Sequence, residues 1–251
     1  MDHGQQTLCE LLLSSRSCIA LTGAGISADS GIPTFRGMQG LWEKYDIMEY
    51  AHIDAFNRDP VKVWKMLAEL DDTICRARPN PAHRALAELE RLNLLQMVIT
   101  QNVDNLHQEA GNTQVVEFHG NAGHFVCLDC RRSHQRPMLN TCQMPPRCEC
   151  GGLIKPDVIF IGEAIPWLAS MKAFSAVKNC DLILVIGTSA MMAPASELPA
   201  MAKQNGAKIV EINIEKTHLT TWITDLLLEG PASEVLPPIV DRVRKMRAAT
   251  A

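Results

Sequence analysis

Nine cysteines occur in this 251-residue chain, and five of them (Cys127, Cys130, Cys142, Cys148 and Cys150) fall within 24 residues. Cys127-x-x-Cys130 and Cys148-Glu149-Cys150, separated by 17 residues, form two pairs able to offer four thiolates to one tetrahedral zinc ion. The second pair is closer than usual. Side chains at i and i+2 of an extended backbone point the same way, so this spacing can still present two sulfurs to one metal. With all four positions filled by Cys127, Cys130, Cys148 and Cys150, the zinc is structural and has no place for a reacting water. Free or redox thiols are the competing reading, and Cys142 is the one substitute ligand inside the module. Cys9, Cys18, Cys75 and Cys180 lie in apolar or helical contexts, where a thiol packs as a small hydrophobe. Clustering of this kind speaks for a metal rather than disulfides, and so for a reducing, cytoplasmic compartment.

A second set of residues suits nucleotide chemistry. Gly23-Ala24-Gly25-Ile26-Ser27 follows the apolar run 18–22. Its first glycine suits a tight turn, and its second lets backbone amides approach a pyrophosphate. Ala28 stands where a third glycine is usual, and a bare tight turn explains the segment equally well. His119, ahead of Gly120, carries a side chain able to take a proton near neutrality, although alone it reads as a hydrogen-bonded core histidine. His107 and His124 are weaker candidates.

The elements that must position these groups follow from periodicity. Gln5–Ser15, Arg58–Leu70 and Pro81–Leu92 carry apolar residues at helical spacing. Cys18–Thr22, Leu94–Thr100, Val115–Phe118, Val158–Ile161, Asp181–Ile186 and Ala207–Ile214 read as strands, and Gly23–Gly40 as a long loop. Strands alternating with helices predict an α/β fold: a Rossmann-like parallel sheet with helices on both faces, plus a small zinc-binding module. Four runs end in small polar residues, at Thr22-Gly23-Ala24-Gly25, Thr100-Gln101-Asn102-Val103-Asp104, Gly187-Thr188-Ser189 and Asn213-Ile214-Glu215. Open α/β sheets bind ligands beyond the carboxyl ends of their strands, so these segments should converge on one crevice.

Bulk composition is that of a globular protein, with 47% hydrophobic and 21% charged residues. A net charge of −4, with no Lys/Arg run longer than Arg131-Arg132, gives no reason to expect nucleic acid as a direct partner. No apolar stretch reaches the roughly 18 residues of a membrane span, and residues 1–10 lack a signal-peptide pattern.

Read in order, Gly-Ala-Gly-Ile-Ser-x-x-Ser-Gly-Ile-Pro-x-Phe-Arg (23–36), Thr-Gln-Asn-Val-Asp-x-Leu-His (100–107), His119-Gly120, a cysteine pair, Lys-Pro-Asp-Val (155–158), Gly162-Glu163, Gly187-Thr188-Ser189 and Asn213 resemble the sirtuin family from about residue 10 to 240. The resemblance implies one catalytic domain over 1–251. Its Rossmann-like large part covers about 1–35, 75–120 and 155–251; its small part covers about 36–74 (helical) and 121–154 (zinc). It implies an NAD-dependent protein lysine deacylase, foremost a deacetylase, that consumes NAD and releases nicotinamide and O-acyl-ADP-ribose. Acyl-lysine proteins or peptides are the implied substrates.

The same resemblance assigns roles. The pyrophosphate lies near Gly23, Ala24, Gly25 and Ser27. Thr34, Phe35 and Arg36 belong to the cofactor loop, with Phe35 shielding the intermediate from water and Arg36 steadying loop and cofactor. Gln101, Asn102, Val103 and Asp104 shape the nicotinamide pocket. The acyl oxygen attacks the ribose carbon that nicotinamide leaves, and His119 is the catalytic base acting on a ribose hydroxyl; Asn102 is the second catalytic residue, orienting with Asp104 the carboxamide and waters near the ribose. Gly187, Thr188, Ser189, Asn213, Ile214 and Glu215 hold the adenosine half, with Ala232 against adenine. Val158, Phe160, Gly162 and Glu163 flank the cleft into which a substrate peptide adds as a strand.

Family members that remove acidic acyl groups place Tyr and Arg three residues apart on the helix after an Arg-Asp-Pro-like segment. Here Arg58-Asp59-Pro60 leads instead to Leu67 and Leu70. Leucines cannot neutralise a buried carboxylate, so neutral acyl groups are expected, acetyl first and a long fatty chain as the alternative. ADP-ribosyl transfer, NAD hydrolysis and a non-catalytic NAD-sensing zinc module are the competing readings. The retained His119 favours deacylation.

Overall fold

The computed structural model describes residues 3–34, 41–134, 136 and 144–250. In chain order, β1 (Cys18–Thr22), β2 (Met97–Thr100) and β3 (Val115–Glu117) build half of a six-stranded sheet. β4 (Gly120–Cys127), β5 (Ser133–His134) and β6 (Ile154–Val158) form a separate antiparallel sheet in the order β5-β4-β6. β7 (Leu182–Ile186), β8 (Lys208–Asn213) and β9 (Leu226–Glu229) complete the first sheet, whose order is β3-β2-β1-β7-β8-β9 and whose pairings are all parallel. The order reverses between β1 and β7, which makes their carboxyl ends the switch point where an open sheet leaves a crevice.

Alternation within the strands decides what packs on each face. Cys18, Ala20, Leu184, Ile186, Val210 and Ile212 join one apolar core with α1 (His3–Ser14), α6 (Pro81–Arg91) and α10 (Ala232–Thr250). Their neighbours Ile19, Leu21, Ile183, Val185 and Ile209 join a second core on the opposite face. That core also holds Ala173 and Val177 of α8 (Trp167–Asn179) and Leu198 and Ala202 of α9 (Leu198–Gln204). A third core lies outside this sheet. There Phe56 of α4 (Ile53–Arg58) and Val63 and Trp64 of α5 (Pro60–Arg76) pack with Phe125, Cys127 and Ile154 of the small sheet. Trp64 stacks on Phe125 at 6.3 Å and donates its indole N–H to the Ile154 carbonyl at 3.0 Å.

Three expectations are corrected. The helix after Asp59 runs to Arg76, about a turn and a half beyond Leu70; nothing at 71–76 breaks it, and Pro79 disfavours helix at the residue before itself. The run expected as a strand from Leu94 begins at Met97, because the amides of Leu94 and Leu95 turn back to the Leu89 carbonyl and close α6. Val158–Ile161 is not a strand of the parallel sheet. The strand is Ile154–Val158 in the small sheet, and Lys155, Pro156 and Asp157 hid it by interrupting the apolar run. Ile159 and Ile161 instead donate their amides to His119 and Ala51. Among the described residues, no helix is long and apolar enough to cross a membrane.

Candidate active site and metal centre

Thr22 pairs in register with Thr100 on one side and Ile186 on the other, so β1, β2 and β7 end level. Beyond them opens a cleft of about 1390 Å³. Gly23, Ala24, Gly25 and Thr34 line it, as do Gln101, Val103 and His119. Gly187, Thr188, Ser189, Asn213, Ile214, Glu215 and Ala232 line it as well. Phe35 and Arg36 lie outside the described residues.

The glycines serve loop-to-loop contact. The Gly25 amide donates to the Gly187 carbonyl at 2.8 Å, and a Cβ on Gly25 would lie 2.8 Å from Gly187 Cα. Gly187 has φ +57, and its own Cβ would lie 2.4 Å from the Ile26 nitrogen. The two loops therefore touch backbone to backbone, and their outer faces, shared with Ala24 and Thr188, form a floor free of bulk.

His119 follows β3, and Gly120 (φ +81) then turns the chain into the small sheet, with no room for a Cβ, which would sit 2.0 Å from the Asp157 carbonyl oxygen. The imidazole thus stands where the two sheets meet. Its Nδ1 lies 3.1 Å from the Gln101 carbonyl oxygen, which can only accept, so Nδ1 carries the proton and Nε2 is the free basic nitrogen. Burial lowers the His119 pKa below the ordinary imidazole value, the hydrogen bond to Gln101 opposing in part. The ring is therefore neutral at pH 7 and able to accept a proton.

Ser27, Asn102 and Asp104 do not line the cleft but form a buried network beneath the glycine loop. The Ser27 hydroxyl donates to Asp104 Oδ2 at 2.7 Å and accepts from Asn102 Nδ2 at 3.1 Å, while Asn102 Nδ2 also reaches the Gly23 carbonyl at 3.1 Å. Asn102 Oδ1 is buried and has no hydrogen-bond partner among the described residues. Burial raises the Asp104 pKa, with the Ser27 hydrogen bond opposing. His83 and His107, edge to face at 5.0 Å, extend the network: His83 lies 3.4 Å from the Ser27 hydroxyl, and His107 Nε2 lies 2.9 Å from the Thr22 hydroxyl. Desolvation pushes them down to about 4 and about 3, so both are neutral supports. Sequence reasoning missed His83; its cue was Asn80-Pro81 three residues earlier, a capping box that Asn80 and His83 complete at the start of α6.

Val158, Phe160, Gly162 and Glu163 line one wall. Leu67 and Leu70 line an apolar lobe with Met66, Ile74 and Phe125. That lobe is not apolar throughout, since Asp71 Oδ1 and Arg136 Nη2 pair at 2.8 Å on its wall. Their separation of 65 positions gave the sequence no cue.

The four thiols of Cys127, Cys130, Cys148 and Cys150 converge, with every Sγ within 4.8 Å of the others. Cys127 and Cys150 approach to 3.5 Å, and Cys130 and Cys148 to 3.7 Å. A tetrahedron with Zn–S of about 2.3 Å has S–S edges of roughly 3.8 Å, so the set fits zinc. The extended backbone expected for Cys148-Glu149-Cys150 is corrected: the Gly151 amide bonds the Cys148 carbonyl at 2.9 Å, a turn that brings both sulfurs to one side. Each knuckle ends in a left-handed residue, Arg131 (φ +60) and Gly151 (φ +91). The Cys130 amide holds the Cys127 thiol down at about 7, poised to ligate. Cys142 lies outside the described residues.

The profile of the Sir2 family matches residues 23–194. The NAD-dependent protein deacylase of Pyrococcus furiosus is 46% identical over 243 residues, covering 94% of this chain and 97% of that protein. A Sir2 homolog solved as an NAD complex superposes with a TM-score of 0.91 at 44% identity, covering 98% of this chain and 95% of that one. A Sir2 protein solved with a myristoylated histone peptide superposes with a TM-score of 0.84 at 37% identity, covering 99% of this chain and 100% of that one.

Proposed function

The chain belongs to the Sir2, or sirtuin, family, and from that premise we propose that it is an NAD-dependent protein lysine deacylase. The observation that carries the proposal is His119 in the cleft, Nε2 free and Nδ1 tied to Gln101, beside the glycine loops at 23–25 and 187–189. NAD, consumed as a co-substrate, supplies a ribose carbon that nicotinamide leaves and an acyl-lysine oxygen attacks. The backbone of Gly23–Ser27 cradles the pyrophosphate, and Gly187, Thr188, Ser189, Asn213, Ile214, Glu215 and Ala232 receive the adenosine half. Gln101 and Val103 border the nicotinamide end, with Asn102 and Asp104 holding that segment from below. His119 Nε2 takes the proton of a ribose hydroxyl, and the Gln101 carbonyl steadies the resulting imidazolium. Thr34 lines the cleft, and the two residues that follow it in the sequence take the family's roles, Phe35 shielding the intermediate from water and Arg36 steadying the cofactor.

An acyl-lysine peptide lies along Val158–Glu163 and sends its acyl group toward Leu67 and Leu70. Their apolar surface favours neutral acyl groups, acetyl first, and its continuation over Met66, Ile74 and Phe125 supports longer chains as a second activity. The pairing of Arg136 with Asp71 leaves no net charge there for an acidic acyl group. Zinc on the four cysteines is structural, locking the small sheet against α5. We divide the chain into a Rossmann-like large part and a small part of helices and zinc module, a division supported by their separate apolar cores. Cysteines clustered for a metal rather than spread for disulfides support a reducing, cytoplasmic compartment.

Purified protein incubated with NAD and a panel of acyl-lysine peptides, with nicotinamide and deacylated peptide followed together, tests the proposal. Equal amounts of both products and an O-acyl-ADP-ribose mass are expected. Nicotinamide release without peptide, or ADP-ribose added to a protein, would replace it with NAD hydrolysis or ADP-ribosyl transfer.

A further inference from the structure

Two stretches of the cleft lining, 214–218 and 158–163, are each held by a buried charged side chain that does not itself line the cleft. For the first, Glu211 sits mid-strand in β8, 1% exposed, on the face it shares with Ile209. Its Oε1 accepts from the hydroxyls of Thr220 at 2.7 Å and Thr224 at 2.5 Å, and its Oε2 from Thr217 at 2.5 Å. All three threonines belong to the loop 214–225, whose residues 214–218 line the cleft next to Asn213. Thr217 also accepts from the Leu219 amide at 3.0 Å, and Thr220 from the Thr217 amide at 2.9 Å, with Leu219 fully buried between them. A carboxylate inside a sheet is costly unless its lone pairs are met. Any shift of this loop would strip Glu211 of donors, so the carboxylate fixes the loop.

For the second, Lys155 is 2% exposed. Its ammonium donates to the Val158 carbonyl at 2.6 Å and the Pro156 carbonyl at 3.3 Å, and pairs with Glu163 Oε2 at 3.1 Å. The same Glu163 oxygen accepts from the Phe160 amide at 2.9 Å, and the ammonium lies 5.1 Å from the centre of the Phe160 ring. The cleft wall at 158–163 is thereby tied at its start, middle and end. Glu163 Oε2 is thus engaged by its own segment and by Lys155.

We propose that Glu211 and Lys155 are positioning residues with separate tasks: Glu211 sets the affinity for NAD through the loop 214–225, and Lys155 sets the affinity for the acyl-lysine peptide through residues 156–163. The division rests on the proposed deacylase reading, which gives each wall its substrate.

Initial-rate kinetics with both substrates varied, on the zinc-loaded full chain, provide the test. Glu211→Leu should raise KM for NAD about tenfold while kcat and the peptide KM stay within about twofold, and Lys155→Met should do the reverse. Glu211→Gln, which hydroxyls can still meet, and Lys155→Arg should restore most of the loss. If the leucine or methionine variant does not fold, Thr220→Val and Lys155→Gln remove fewer bonds and should show smaller shifts in the same directions. Calorimetric titration with ADP-ribose and with an acetyl-lysine peptide reads the same division without turnover. A wild-type protein inactive as a deacylase would therefore sink the functional reading while the titrations still decide this one. Variants that raise both KM values together, lower kcat alone, or leave both affinities unchanged would overturn the proposal.

Discussion

The Gly25 amide donates to the Gly187 carbonyl oxygen at 2.8 Å, and a Cβ on either residue would overlap the backbone of the other. The two loops at the switch point thus hold each other at contact distance. Gly25→Ala should push them apart. We expect a loss of about 1–3 kcal/mol of stability, the usual range for forced overpacking, and weaker ADP-ribose binding. Thermal melts and calorimetry check both, and wild-type binding in the variant would mean the loops yield elsewhere.

Loss of the imidazole at 119 removes the proton acceptor and leaves the fold alone. His119→Ala should lower kcat/KM for deacylation by about 10²–10⁴ with an unchanged melting temperature. The pH profile carries a second readout. The neutral ring is the active form, so activity is lost as pH falls through its pKa. Burial lowers that pKa, so the acid limb should fall below the ordinary value of about 6.5. A limb centred above pH 7 would contradict the environment described for the ring.

Stability should depend on pH through His83 and His107. In the unfolded chain both titrate near the ordinary imidazole value of about 6.5, whereas burial holds them at about 4 and about 3 in the fold. Between these values the unfolded chain binds more protons, so stability is full above pH 6.5 and declines as pH falls toward 4. His83 alone contributes a loss of about 3 kcal/mol across that window. Urea titrations at pH 7 and pH 5 should show a smaller difference for His83→Gln than for wild type, and equal differences would refute the assignment.

Zinc should be structural. Chelation, or Cys148→Ser, should abolish deacylation together with protease resistance of the small sheet, and zinc should restore both after chelation. Because Cys127 and Cys148 belong to the core that also holds Trp64 and Phe160, release of the metal should register as a change in Trp fluorescence. Chelated protein that keeps full activity would exclude this role.

The acyl lobe can be tested by charge. Wild type should act weakly on succinyl- and malonyl-lysine, and Leu67→Tyr with Leu70→Arg should gain desuccinylation. Should that double variant gain none, the assignment of these two positions to the acyl end would be wrong.

Local chemistry was legible in the chain itself. Two cysteine pairs 17 residues apart, small polar residues closing four apolar runs, and the period-2 alternation of the strands each express a requirement met within a few residues. They sufficed for the zinc quartet, the parallel sheet and the crevice at its edge. Side-chain direction was not legible. Gln101 and Val103 face the cleft while Asn102 and Asp104 turn under it to Ser27, because the chain leaving Thr100 must satisfy a carboxylate and an amide buried against the glycine loop. Nor could spacing show that Glu211 would be met by Thr217, Thr220 and Thr224, or Arg136 by Asp71. Such pairings belong to the tertiary structure, since a buried polar group takes its partner from whatever segment packing brings to it, however distant in sequence.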